Sequence, residues 1–217
     1  MKIHLLLLLA LLILPLTATL APDASEAKKK KKHHKTVTRT FTDFTGAGIA
    51  SNGQIDGSPM TFVVKGLKKG KIRDVNLDLP FLHSNADDLD FLLVAPNGDN
   101  ALVMSDAGGQ QKACPRILLD DEAAAPLPDS GPLSTEPCSP SIDFQEVTFR
   151  PANYTPIGDS DAFPGAPSPS GDVSLSTFDG GNPNGTWRLF VSDDFTSDGG
   201  FISSVRLIVK ARVKTKK

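Results

Sequence analysis

From Thr36 to Val209, apolar residues recur at every second position in short runs, and the runs stop at Gly, Pro, Asn or Asp. A side-chain period of two marks strands with one buried face, and no window holds a sustained 3.6-residue period. Eight runs qualify: Thr36 to Phe44, Met60 to Gly66, Ile72 to His83, Leu89 to Pro96, Asn100 to Ser105, Gln145 to Phe149, Thr186 to Asp193 and Phe201 to Val209. In the third, Val75, Leu77, Leu79 and Phe81 share one face; in the seventh, Trp187, Leu189 and Val191 do. The APNGDN segment between the fourth and fifth runs has Pro, Asn and Gly where a tight hairpin needs them. With long Pro-rich crossings elsewhere, this pattern predicts an all-β fold, a jelly-roll-like β-sandwich of about eight strands.

The chain's 217 residues, 39% of them hydrophobic, suffice for one core. Residues 1–27 have the order of a secretory signal peptide and its cleavage region: Lys2, a Leu- and Ile-rich run broken at Pro15, then small residues. The run is too short to be a comfortable membrane span, so the mature chain is expected to be secreted, extracellular or at the cell surface, with no transmembrane segment. Residues 28–35 form a basic linker, expected to be disordered, 36–209 the sandwich, and 210–217 a basic tail. Two cysteines, Cys114 and Cys138, fit an oxidising compartment as one disulfide closing a Pro-rich loop, worth roughly 3 kcal/mol in the chain-entropy model.

The net charge of −2 conceals an uneven distribution. From Thr36 to Val209 there are 11 Lys and Arg against 23 Asp and Glu, a net charge of −12, with Lys concentrated at both ends. An acidic body invites cations and argues against nucleic acid as partner, while basic ends invite an anionic cell-surface polymer.

Several motifs occur in a fixed order: DDLDFLLVAPNGDNALVMSD, LLDDEA, YTPIGDSDAF, STFDGGNPNGTWRLFVSDD and DGGFISSVRLIV. Over about Thr36 to Val209 they resemble the P domain, or P/Homo B domain, of kexin- and furin-type subtilisin-like proteases. The resemblance implies a jelly-roll β-sandwich that stabilises or regulates a catalytic domain. It also implies that His83 hydrogen-bonds across the loops, and it makes calcium, which some P domains bind, the expected ion.

The protease itself is missing, since no G-T-S-M, H-G-T or G-x-S-x-G segment occurs. The DSG at Asp129 to Gly131 stands alone in a Pro-rich loop. No catalytic residue is expected, and serine endopeptidase activity would attach to this chain by family association alone.

Carboxylates remain, in three loops: Asp87, Asp88 and Asp90; Asp120, Asp121 and Glu122; Asp193, Asp194 and Asp198. Calcium takes about 6–8 oxygen ligands in irregular geometry, which suits loops converging at one end of a sandwich. Asp88, Asp90, Asp120, Asp121 and Asp193 are the expected ligands of a structural calcium; zinc is not suggested, and Asp is also a routine turn residue. The resulting expectation is a secreted, non-catalytic domain that stabilises or targets a secreted or cell-surface protein such as a protease, with a cell-surface adhesion module as the alternative.

Overall fold

A computed structural model describes residues 33–51, 55–133, 146–154, 161–195 and 197–215. The expected signal peptide, most of the basic linker and Cys138 lie outside the described residues; Cys114 is not a free thiol. Thirteen strands are described: β1 His34–Asp43, β2 Ala47–Ile49, β3 Ile55–Asp56, β4 Met60–Val64, β5 Lys71–His83, β6 Leu89–Val94, β7 Asn100–Ser105, β8 Arg116–Leu119, β9 Glu146–Phe149, β10 Ala152–Asn153, β11 Gly185–Asp193, β12 Gly200–Ile202 and β13 Val205–Lys214. One sheet runs β1-β13-β5-β12-β2-β3, with β8 on β5 and β9 on β8; the other runs β10-β7-β6-β11-β4. This is the expected two-sheet, all-β sandwich.

The alternation sets the layers. Leu77, Leu79 and Phe81 of the first sheet meet Leu89, Phe91, Leu93, Trp187 and Leu189 of the second in one core, with all eight side chains fully buried. The Phe81 and Phe91 ring centroids stand 5.9 Å apart across the sheets. Trp187 packs edge-on against Phe178 at 4.9 Å, and its Nε1–H donates to the Pro183 carbonyl at 2.9 Å. The outer face of the second sheet is covered too: Phe163 of the Pro-rich 161–172 segment closes over Leu92, Val94, Leu102 and Phe190.

Two features of the fold position the candidate site. The runs flanking SDDFTSDGG do not pair with each other. β11 pairs with β4 and β6, whereas β12 and β13 lie in the other sheet, so the acidic segment crosses between sheets. Both runs bury alternate residues in one core from opposite sides, which a hairpin within one sheet would not do. The basic ends are also partly ordered: β1 begins at His34 and β13 continues to Lys214, paired His34 to Lys214. Ala211 and Val213 extend the buried face of β13 through the expected tail.

Candidate cation sites at one end of the sandwich

β5, the short 3-10 turn Ala86–Asp88, β6 and β11 bring acidic residues together where β5 and β11 end and β6 begins. His83 closes β5, Asp88 ends the short 3-10 helix Ala86–Asp88, Asp90 lies in β6 opposite Ser192, and Asp193 closes β11. The acidic crossing returns through Gly199 and Gly200, where β12 meets β5. A Cβ on Gly200 would stand 1.9 Å from the Leu82 carbonyl oxygen, and one on Gly199 2.6 Å from that of Ile49. Only glycine permits this approach, which brings Asp198 over His83.

Two clusters result, each with one potential ligand atom per residue and all three atoms within 4.8 Å of one another: Asp90, Asp161 and Asp194, and His83, Asp193 and Asp198. Asp90 is fully buried on the outer face of β6, and neither carboxylate oxygen has a hydrogen-bond partner. The Ser105 hydroxyl serves Asp106 at 2.9 Å and Asp161 at 3.3 Å. Burial, then the charges of Asp194, Asp161 and Asp106, push the Asp90 carboxyl up to about 10. At neutral pH it therefore holds a proton unless a cation compensates its charge. Asp88 is raised to about 6 by burial and by Asp198 and Asp193, and Asn85 Nδ2 donates to both its oxygens at 2.8 Å. Burial likewise raises Asp193.

Asp120 and Asp121 lie elsewhere. A third cluster, Asp74, Asp120 and Glu122, sits toward the opposite end of β5. Asp74 and His83 are nine residues apart on that strand, which at about 3.3 Å per residue separates the two ends by about 30 Å. Asp121 is a cap: its oxygens accept from the Leu175 amide at 3.1 Å, the Ser176 amide at 2.7 Å and the Ser174 hydroxyl at 2.5 Å. These bonds fasten the short 3-10 helix Leu175–Phe178, whose Phe178 holds Trp187. Of the five expected ligands, the fold gathers Asp88, Asp90 and Asp193 at one end and leaves Asp120 and Asp121 at the other.

The orphaned oxygens of Asp90, beside two further carboxylates, fit an oxygen-seeking cation such as calcium. Asp161 was not among the expected ligands, because it belongs to the covering segment and nothing in its spacing from Asp90 announces the contact. Asp194 and Asp198 were legible as acidic residues but not as members of different clusters.

Fold and site together define a two-sheet β-sandwich with two partly buried clusters of acidic residues at one end, each with one fully buried member. No protein-family model matches the chain, and no curated protein matches it. Among solved structures, it is similar to the serine protease of Aeromonas sobria, with 17% identity and a TM-score of 0.41 over 82% of this chain and 27% of that one. It is also similar to a chain in the complex of the Aeromonas sobria serine protease and the chaperone, with 16% identity and a TM-score of 0.41 over 85% of this chain and 28% of that one. The chain thus spans little more than a quarter of the length of either. Among the described residues, no helix is long and apolar enough to cross a membrane.

Proposed function

We propose that this chain is a secreted, non-catalytic module of the P-domain kind that stabilises or targets a partner protein, its loops ordered by calcium at Asp90, Asp161 and Asp194. The observation that carries the calcium is Asp90, a fully buried carboxylate with both oxygens unpartnered between two others. The partner follows from the motif resemblance, whose DLDFLLVAP and GTWRLFV segments form the adjacent strands β6 and β11. The same reading pairs Cys114 with Cys138. The exported chain used as bait on secreted proteins should retain a specific partner in calcium and lose it in chelator. Retention of nothing, or labelling of the chain by an active-site serine probe, contradicts the reading.

A second reading, attachment to an anionic surface polymer, is favoured by a cleft of about 610 Å³ lined by His34, Lys69, Lys71, Arg73, Arg212 and Lys214. The pairing of β13 with β1 on one side and with β5 on the other brings these basic residues together. Cosedimentation with anionic but not neutral vesicles, weakened by salt and lost in Arg73→Glu/Arg212→Glu, would support this attachment. Equal binding by the double variant rules the cleft out.

A further inference from the structure

The second cluster has a different donor set from the first, and its proton arrangement can be derived. His83 is fully buried, and its Nδ1 lies 2.5 Å from the Asn85 carbonyl oxygen. That oxygen can only accept, so Nδ1 carries the ring proton; the Asn85 amide at 3.3 Å is then a neighbour and not a donor to it. In the neutral ring, Nε2 presents a lone pair. It has no hydrogen-bond partner and faces Asp193 Oδ2 at 3.7 Å and Asp198 Oδ1 at 4.0 Å, both of which are also buried and unpartnered.

Three electron-rich atoms facing one another out of water are costly unless positive charge lies among them. A second ring proton would supply charge, but 3.7 and 4.0 Å exceed hydrogen-bond reach, so it would leave all three atoms without a bond. A shared ion bonds all three. Donors held about 2.1 Å from a first-row divalent ion stand about 3.4 Å apart in a tetrahedral shell, so the two separations from Nε2 need to close by about 0.3 and about 0.6 Å, and all three atoms already lie within 4.8 Å of one another. One imidazole with two carboxylates suits borderline ions, whereas calcium and magnesium take all-oxygen shells. The Nδ1–H bond to Asn85 is the kind of outer contact that fixes a ligating histidine's tautomer.

We propose that His83, Asp193 and Asp198 bind a borderline divalent cation of the zinc type, fastening the crossing between the sheets to the end of β5. The site is separate from the calcium proposed at Asp90 and does not depend on it. Asp88, held by Asn85 beside the cluster, adds negative charge to its wall.

The test is titration of metal-free, exported full-length chain with zinc chloride by calorimetry, and with cobalt chloride followed by its visible absorption. Binding at one site is expected to persist in excess calcium and in Asp90→Asn, and to weaken at least about tenfold in Asp198→Asn and His83→Gln. Asp198 has 18% of its side chain exposed, so its variant supplies the readout should His83→Gln fail to fold. In nitrogen-15 spectra, zinc should shift Nε2 while Nδ1 stays protonated. Absence of zinc heat and cobalt absorption, wild-type affinity in Asp198→Asn, displacement by calcium, or both ring nitrogens protonated in the presence of zinc would overturn the proposal.

Discussion

At the scale of single residues, Trp187 and Asp43 each help to join the two sheets. Trp187 has no exposed surface, so Trp187→Ala should cost about 3–5 kcal/mol by denaturant melts, and the native indole should emit as a buried one. Asp43 ends β1 in the first sheet and accepts from the Thr61 amide of β4 in the second at 2.7 Å, as well as from the amide and hydroxyl of Thr45. Burial raises its carboxyl, but the hydrogen bonds from Thr45, Thr61 and Gly46 outweigh that and hold it below the usual carboxylate range. A lowered folded pKa contributes stability that is complete above the unfolded value and is lost as pH falls through the folded one. Asp43→Asn should therefore lower the melting temperature at pH 7 and narrow the gap between pH 7 and pH 3 relative to wild type.

At the scale of elements, strands long enough to show their period were legible in the sequence, as was the four-residue β9, whereas other short ones were not. The core faces of β5 and β11 followed from alternation alone, and APNGDN makes its turn with the Ala95 amide donating to the Asp99 carbonyl at 2.8 Å. β2, β3, β8 and β10, each of two to four residues, are strands only because neighbours complete their ladders. The site was half legible for a related reason. Residue type identified the carboxylates, but which of them meet depends on the crossing between sheets, and only glycine at 199 and 200 allows it. Gly200→Ala should cost about 1–3 kcal/mol by forcing β12 off β5, whereas Gly48→Ala on the neighbouring β2, where a Cβ meets nothing within 4 Å, should stay within about 0.5 kcal/mol. Equal losses in the two variants would show that close packing of β12 is not what the glycines secure.

At the scale of the molecule, the two ends of the sandwich are built differently. One end is closed by the 3-10 helix that Asp121 caps, and the other by carboxylates among which both oxygens of Asp90, Asp193 Oδ2 and Asp198 Oδ1 have no hydrogen-bond partner. Because Asp121 is already engaged, Asp121→Asn should weaken the fold by about 1 kcal/mol yet leave the response to calcium intact. A cation is proposed to complete the opposite end, and calorimetric melting of wild type and Asp90→Asn in millimolar calcium and in chelator reads its contribution. A ligand at a hundred times its dissociation constant adds about 2.7 kcal/mol, which for a chain of this size is a rise of about 5–10 °C. Calcium at Asp90 should give that rise in wild type and none in Asp90→Asn; coincident wild-type melts in calcium and chelator, or the same rise in the variant, would rule it out.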